Sequence, residues 1–425
     1  METETARHLM NLIRPKIIFS CASTANFLRD AAQLEGVNVD HIVVFEHQKL
    51  FPQLRDILEE NNKSIEAFKA VDYSLEDEVA MIVFSSGTTG LPKGVSYSCK
   101  VIKNLLNNIV AFQRNYTNIL WYSPLYWLSG TLHLFLTTLG FTKRILHLSF
   151  DPEDTCRVIN EFKVEYLFIP PTLVTHLCKS RVLEKYELNS LKLISTAGAN
   201  LGKKFIEQIK SHLPNVCFRQ VYGLTESGGN LTVTTNSCER INSVGFIVSN
   251  SQIKIIDLES GQALGPNESG EICFKTAKAM LGYYRNPKAT QEMIDNEGWY
   301  HTGDIGYYMK NGEIMMVDRK KEIMKYRGHQ ISPSEIEEYL MTHKAVLEAA
   351  VIGVPHDLEI EVPMAFIKRT PGYEVSEEEL VDFSAELDVL KKLRGGVKFL
   401  DELPHTPSGK IDKKLLKDLA AASLK

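Results

Sequence analysis

Short apolar runs alternate with amphipathic segments along much of this chain. Ile17 to Ser20, Ile42 to Phe45 and Met81 to Phe84 have the length and composition of buried strands. Segments with helical periodicity, such as residues 203–213, lie between such runs. Strands separated by helices usually pair in parallel, with the helices covering the faces of the sheet. The pattern therefore predicts the α/β class, with a large N-terminal domain of mostly parallel sheets and helices.

A change of pattern near residue 319 predicts a second, smaller domain. Three consecutive cations at 319–321 interrupt an apolar run, which is typical of an exposed hinge. Beyond them, Ser332 to Glu335 has the spacing of a capping box with proline at the first helical position. A chain of 425 residues also exceeds the size at which a single core stops growing. We expect a large domain over residues 1–318 and a mobile, small α+β domain over residues 319–425.

The composition disfavours several classes of protein. A net charge of only -5 gives no reason to expect a nucleic-acid partner. No apolar run reaches membrane-spanning length, and the first residues lack the apolar region of a secretory signal, so we expect neither a transmembrane segment nor secretion. The seven cysteines are scattered without a CxxC pair, which is typical of a reducing compartment inside the cell. No obligatory protein partner is evident.

The segment from Ser85 to Gly94 has the features of a phosphate-binding loop. It follows the apolar run Met81 to Phe84 and reads SSGTTGLPKG. Glycines let backbone N–H groups approach phosphate oxygens, hydroxyls add donors, and Lys93 supplies a cation. The segment lacks the Gly-Lys-Ser/Thr ending of a Walker loop, and a solvated loop of this composition is the alternative. The expected phosphate ligands are Ser85, Ser86, Gly87, Thr88, Thr89, Gly90 and Lys93.

Two later motifs follow this loop in a recognisable order. Val221 to Gly228 reads VYGLTESG, and Trp299 to Asp304 reads WYHTGD. With the phosphate loop, they resemble the adenylate-forming (AMP-binding) superfamily, and residues 391–404 resemble its branch of acyl-CoA synthetases, 4-coumarate:CoA ligases and beetle luciferases. The resemblance covers nearly all of the chain. Because relatives carry about 100 more residues before the loop, we expect a shortened, incomplete first subdomain.

The resemblance implies which side chains bind the nucleotide. Tyr222 is expected to pack on adenine, Asp304 to accept the ribose hydroxyls, Thr225 to contact the α-phosphate and Glu226 to hold Mg²⁺. Taken singly, Tyr222 could be a core aromatic, Glu226 an exposed charge and Asp304 a turn former. Their order and spacing favour a site. The expected ATP/AMP-binding residues outside the phosphate loop are Ala197, Gly198, Ala199, Tyr222, Gly223, Thr225, Asp304, Arg319 and Lys410.

Two lysines of the small domain are expected to act in different steps. Residues 407–411 resemble the family's terminal PxGK segment, which implies that Lys410 bridges the substrate carboxylate and the α-phosphate. A solvated lysine in a Lys-rich tail is the alternative. Residues 325–330 resemble the second glycine loop, which implies that Lys325 serves the transfer step and that Gly328 lies at coenzyme A. The expected catalytic residues are Lys410, Lys325, Thr225 and Glu226.

The segment from Ser123 to Gly130 departs from the family. Relatives place Phe-His at or beside the positions of Tyr126 and Trp127, so the histidine of the acceptor pocket is expected to be absent. An indole can line an apolar pocket but cannot take up a proton, which disfavours luciferin oxidation. The expected substrate-pocket residues are Trp127, Gly130, Leu224 and Ser227.

The resemblance implies an ATP-dependent carboxylic acid:CoA ligase that forms an acyl-AMP intermediate and then an acyl-CoA thioester. ATP, Mg²⁺ and coenzyme A are the expected cofactors, and a small-molecule carboxylic acid is the expected substrate. A luciferase-like monooxygenase is one alternative, and a truncated paralogue that binds adenylate without turnover is another. Cytoplasm and peroxisome both stay open as compartments, because the C-terminal Ser-Leu-Lys at 423–425 is not the Ser-Lys-Leu address.

Overall fold

The computed structural model describes most of the chain: residues 3–47, 50–60, 69, 72, 74–85, 91–113, 116–147, 149–199, 201–235, 240, 242–327, 329–356, 358–406 and 410–423. The chain divides into two compact units, residues 1–100 with 281–287 and residues 101–280 with 288–425. Within the described ranges, no helix has the length and apolar character needed to cross a lipid bilayer.

The described part of the first unit contains two small sheets. Its helices are α1 (Thr3–Ile13), α2 (Ala22–Leu34) and α3 (Leu54–Glu60). Strands β1 (Ile17–Ser20) and β2 (His41–Val44) form a parallel pair. The other sheet is antiparallel and contains β3 (Val79–Ser85), β4 (Lys93–Ser98) and β14 (Gly282–Tyr283), with β4 in the middle.

In the described part of the second unit, eleven strands form one sheet. They are β5 (Asn118–Trp121), β6 (Lys143–Ile145), β7 (Tyr166–Phe168), β8 (Leu193–Ala197), β9 (Cys217–Leu224), β10 (Gly229–Val233), β11 (Ser243–Ile247), β12 (Ser251–Ile256), β13 (Gly270–Thr276), β15 (Tyr300–Tyr308) and β16 (Ile314–Arg319). Their order is β12-β13-β15-β16-β11-β10-β9-β8-β7-β5-β6. The five strands from β6 to β9 are parallel, and the pairs beyond β9 are antiparallel.

The helices of this unit accompany the parallel strands. They are α4 (Cys99–Gln113), α5 (Leu128–Leu139), α6 (Pro152–Glu161), α7 (Pro171–Lys179), α8 (Lys203–His212) and α9 (Pro287–Met293). The predicted α/β class is confirmed, but the parallel part of the sheet is smaller than predicted. Beyond β9, where α9 alone of these helices lies, between β13 and β15, short connections at 225–228 and 309–313 join β9 to β10 and β15 to β16, and such connections join antiparallel neighbours.

Residues 324–423 build a hydrophobic core of their own inside the second unit, called the C-terminal core below. Its strands are β17 (Met324–Tyr326), β18 (His329–Ile331), β19 (Val346–His356), β20 (Ile360–Arg369) and β21 (Val397–Phe399), and its helices are α10 (Pro333–Met341), α11 (Glu377–Leu387) and α12 (Lys413–Ser423). The predicted cap of α10 is present, because the Ser332 hydroxyl accepts from the Glu335 N–H. The boundary at residue 319 stays a prediction, since the compact units divide the chain elsewhere.

Candidate active site

Asp304 lies on β15 directly opposite Arg319 on β16. Its Oδ2 atom accepts a hydrogen bond of 2.8 Å from the hydroxyl of Tyr222 on β9, and Arg319 Nε lies 3.6 Å from its Oδ1. Asp304 is only 6% exposed. Burial raises the pKa of Asp304, although Arg319 and the Tyr222 hydroxyl oppose that shift. The structure thus brings three of the predicted nucleotide-binding residues together.

The turn that carries Asp304 is fixed by a residue that the sequence analysis missed. Glu271 on β13 accepts a hydrogen bond of 3.1 Å from the Gly303 N–H, and Gly303 has a positive φ of 69° that favours glycine. The Thr302 hydroxyl accepts from the Asp304 N–H at 3.0 Å. Glu271 therefore supports the Asp304 turn from the neighbouring strand. Its only sequence signal is a carboxylate inside the apolar run of residues 270–274.

Lys410 reaches the same place from the C-terminal core. Burial, with the positive charge of Arg319, lowers the pKa of Lys410 to about 8, while Asp304 and Glu226 act in the opposite direction. The Lys410 carbonyl accepts a hydrogen bond of 2.7 Å from the Thr406 N–H. The charges of Arg319, Asp304 and Glu226 therefore act on the partly buried Lys410 ammonium, which does not fit a lysine solvated in a tail.

The turn between β9 and β10 carries Thr225 and Glu226. Glu226 is 7% exposed, so it is not a solvated charge, and its carbonyl accepts from the Met280 N–H at 2.9 Å. Its carboxylate is close enough to Lys410 to act on that lysine's pKa. Mg²⁺ is commonly held by one or two carboxylates together with phosphate oxygens. A single buried glutamate at this position fits the Mg²⁺ that the family implies.

The predicted adenine loop lies beside Tyr222 at the carboxyl end of β8. Ala197 pairs with Val221, the residue before Tyr222. Gly198 has a φ of 101°, and an added Cβ would meet open space there, while Ala199 is exposed. Ligands of parallel sheets commonly bind at the carboxyl ends of the strands. The position of the loop therefore suits its predicted role.

Local packing and hydrogen bonding account for two of the predicted substrate-pocket residues, Gly130 and Ser227. A Cβ on Gly130 would lie 2.1 Å from the Pro124 carbonyl oxygen, so only glycine fits there. The Ser227 hydroxyl is fully buried and donates to the Gly229 carbonyl at 2.6 Å, while it accepts from the Leu224 N–H at 3.0 Å. The indole of Trp127 lies just before α5. A role of these residues in an acyl pocket stays a prediction.

A buried histidine was missed by the sequence analysis. His133 on α5 has Nδ1 2.6 Å from the Ser129 carbonyl oxygen and Nε2 3.2 Å from the Tyr166 hydroxyl. Its ring lies 4.6 Å from the Phe168 ring. Burial lowers the pKa of His133 to about 4, so the imidazole is neutral at physiological pH. An imidazole therefore exists near the Trp127 segment, but it is held inside an aromatic cluster.

Other predicted residues lie elsewhere or outside the described residues. Ser85 and Lys93 pair across β3 and β4 in the first unit, where Lys93 Nζ lies 4.8 Å from the centre of the Tyr283 ring. Lys325 is exposed on β17. The residues outside the described ranges are Ser86, Gly87, Thr88, Thr89, Gly90 and Gly328. Their roles stay predictions.

Comparison with known proteins gives matches over most of the chain. The family model described as AMP-binding enzyme matches residues 1–284, and the one described as AMP-binding enzyme C-terminal domain matches residues 335–410. A luciferin 4-monooxygenase of Photuris pensylvanica is 34% identical over 97% of this chain and 78% of the relative. A 4-coumarate–CoA ligase of Pinus taeda is 36% identical over 81% of this chain and 66% of the relative. The chain thus spans about two thirds to four fifths of the length of these relatives.

Solved structures share the fold. ATP-bound MatB from Rhodopseudomonas palustris has a TM-score of 0.86 at 24% identity, covering 100% of this chain and 83% of that one. The o-succinylbenzoate coenzyme A synthetase of Bacillus subtilis, in complex with AMP, has a TM-score of 0.81 at 23% identity, covering 98% of this chain and 81% of that one. The family models, the relatives and the fold agree, and the chain belongs to the AMP-binding enzyme family.

Proposed function

We propose that this chain is an ATP-dependent carboxylic acid:CoA ligase. In the first half-reaction, a carboxylate oxygen of the acid attacks the α-phosphorus of ATP, and pyrophosphate leaves. In the second, the thiolate of coenzyme A attacks the acyl carbon, and AMP leaves. The observation that carries this proposal is that Tyr222 and Arg319 contact the buried Asp304 carboxylate, while Lys410 is close enough to Asp304 and Arg319 for their charges to act on its pKa.

Each of these side chains suits a step of the first half-reaction. Asp304 offers carboxylate oxygens to the ribose hydroxyls, with the Tyr222 ring beside the adenine. The Lys410 ammonium stabilises negative charge that develops between the acid and the α-phosphate. Glu226 would hold Mg²⁺, which would supply positive charge to the phosphates. A lysine whose pKa lies near 8 without nucleotide becomes more fully protonated when the anionic phosphates arrive.

A reducing compartment, cytoplasm or peroxisome, is part of the proposal. The described cysteines at 21, 99, 156, 178, 217 and 273 are not joined in disulfides. Cysteines outside disulfides are the rule in compartments that keep thiols reduced.

The test is pyrophosphate release across a panel of carboxylic acids, with and without coenzyme A. We expect release that depends on ATP, Mg²⁺ and one class of acid, and a thioester product only when coenzyme A is present. ATP binding without pyrophosphate release for any acid of the panel would instead identify a protein that binds the nucleotide without turnover.

A luciferase-like monooxygenase is the second candidate, because a luciferin 4-monooxygenase matches over 97% of the chain. Relatives are expected to carry a histidine at or beside the position of Trp127, whose indole cannot take up a proton, and His133 is neutral and buried, so neither side chain suits proton transfer from luciferin. We expect no sustained light from this chain with luciferin, ATP and oxygen, with the Photuris pensylvanica luciferin 4-monooxygenase as the positive control. Sustained emission would favour the monooxygenase.

A further inference from the structure

A buried glutamate joins the C-terminal core to a helix of the main sheet. Glu348 on β19 is 8% exposed. Its Oε2 atom lies 3.2 Å from His405 Nε2, and its Oε1 atom lies 3.5 Å from both His176 Nε2 and Lys368 Nζ. His176 belongs to α7, whereas the other three residues belong to the C-terminal core. One carboxylate therefore lies within ion-pair distance of groups from both parts, although His176 Nε2 and Glu348 Oε2 make no hydrogen bond to the described residues. We call these four residues the Glu348 cluster.

Neighbouring lysines reinforce this contact. Lys179, at the end of α7, donates to the carbonyl oxygens of Val346 and Leu347, where the register of β19 shifts and leaves the strand irregular. Lys204 on α8 donates to the Thr342 carbonyl at 2.8 Å, just beyond the C-terminus of α10. A cation at a helix C-terminus is favoured by the helix dipole. Lysines of α7 and α8 thus bind backbone carbonyl oxygens of β19 and of the residue that follows α10.

The Glu348 carboxylate is ionised near neutral pH. Burial opposes ionisation of Glu348, but His176, His405 and Lys368 outweigh it and hold the pKa of the carboxyl well below its usual range. Glu348 in turn raises the pKa of His405. Lys179, which also faces this carboxylate, adds positive charge. A buried charge left without its partners is strongly destabilising. Removal of one member of the cluster therefore destabilises the contacts among the remaining members.

The cluster is connected to Lys410 through the backbone. His405 pairs with Ile411 in an antiparallel bridge, and the Thr406 N–H, one residue on, donates to the Lys410 carbonyl at 2.7 Å. A displacement of His405 therefore displaces the backbone that carries Lys410. Catalytic geometry is sensitive to displacements of about 1 Å.

We infer that Glu348 is a positioning residue, which ties the backbone around Lys410 to helix α7 and so holds Lys410 beside Asp304 during adenylation. The expected effect of Glu348 on reaction rates rests on the proposed function. Its expected effect on the structure rests on the contacts alone. Because His176 lies outside the C-terminal core, we expect a rotation of that core that takes Lys410 away from Asp304 to open this contact. Glu348 then favours the first half-reaction and does not assist the second.

The kinetic test compares Glu348→Gln and His176→Gln with the wild type in separate half-reactions. We expect each variant to slow acid-dependent pyrophosphate release by roughly 10-fold to 100-fold. Formation of thioester from preformed acyl-AMP and coenzyme A should stay unchanged. The double variant should be no slower than the slower single variant, because both substitutions break the same contact. Glu402→Gln is the matched control, since Glu402 pairs with Lys368 at 2.6 Å but is 76% exposed.

The structural test is hydrogen exchange on the same proteins without substrates. Glu348→Gln and His176→Gln should speed exchange in residues 171–179 and 338–348, with α11 unchanged. Unchanged exchange there would overturn the inference even if the wild type activates no acid. An equal loss of both half-reactions, with a lower melting temperature, would reduce Glu348 to a structural role and also overturn it. Failure of the wild type to release pyrophosphate, with the expected exchange, would count against the proposed function only.

Discussion

The carboxylate of Asp304 is held by a hydroxyl and a guanidinium from neighbouring strands. A nucleotide ribose would find this carboxylate already oriented, so the hydrogen bonds to the ribose need little reorganisation. We predict that Asp304→Ala weakens ATP binding by about 1.5–3 kcal/mol, the range of hydrogen bonds to a charged group. Isothermal titration calorimetry measures this. Asp257→Ala, at an exposed turn, is the control, and an unchanged ATP affinity in Asp304→Ala would remove Asp304 from the site.

Lys278 is a buried cation that the proposed chemistry does not use. It is 5% exposed, and its Nζ donates to the Asn230 carbonyl at 2.8 Å. Burial lowers the pKa of Lys278 to about 8, so folding penalises its charged form. The unfolded chain keeps an ordinary lysine pKa of about 10.4 and binds more protons between these values. This residue therefore destabilises the fold below pH 8, and that penalty is relieved as pH rises towards 10.

We predict that Lys278→Met stabilises the protein at pH 7 by roughly 1–3 kcal/mol, within the limit that such a pKa shift sets. The gain should shrink as the pH is raised from 7 to 10. Melting temperatures of wild type and variant across this range provide the measurement, with Lys288→Met, at an exposed lysine, as the control. A gain that is independent of pH would mean that the buried charge is not its cause.

Sequence motifs identified the residues at the centre of the site, but not those that support them. Tyr222, Asp304 and Lys410 belong to motifs whose family roles require them to meet. Glu271 and Glu348 carry no motif, and each is a single acidic residue in an apolar strand. Glu271 accepts a hydrogen bond from Gly303, and Glu348 contacts His176, which lies 172 positions earlier in the chain. Such contacts depend on which strands and helices become neighbours, which local sequence does not determine.

The tight turn after β9 depends on glycine at 223. Gly223 pairs with Asn230 across β9 and β10, and an added Cβ would lie 1.9 Å from the Gly229 carbonyl oxygen. No rotation of a methyl group relieves a contact with the backbone. The strands would have to separate, and the turn that carries Thr225 and Glu226 would move with them.

We therefore predict that Gly223→Ala lowers the free energy of unfolding by about 3 kcal/mol or more. Gly261→Ala is the comparison, because Gly261 has a φ of 69° but open space around an added Cβ. That variant should lose about 1 kcal/mol from backbone strain alone. Urea denaturation of both variants gives the two values. Equal losses of unfolding free energy in the two variants would show that the backbone relaxes enough to accommodate a methyl group at position 223.

At the level of strands and helices, short-range signals were reliable and long-range pairing was not. The serine cap of α10 is present where the capping-box spacing placed it. The antiparallel half of the main sheet was not foreseen. Its strands beyond β9 have apolar runs like those of the parallel half, and the connections rather than the strands decide the direction of pairing.

At the scale of the whole chain, the C-terminal core carries both lysines, Lys410 and Lys325, that the proposed reaction uses. Lys410 faces Asp304 and Glu226, whereas Lys325 is exposed on β17. A single orientation of that core therefore presents only one of the two lysines to the site. If the core rotates between the half-reactions, each lysine serves one of them.

The decisive measurement is the rate of each half-reaction in Lys410→Ala and Lys325→Ala. Lys410→Ala should slow acid-dependent pyrophosphate release by about 10²- to 10³-fold, the usual cost of removing a preorganised donor, and should still convert preformed acyl-AMP and coenzyme A to thioester. Lys325→Ala should release pyrophosphate at a near-normal rate and transfer the acyl group slowly. Equal loss of both half-reactions in both variants would contradict a ligase that works by exchanging these two lysines.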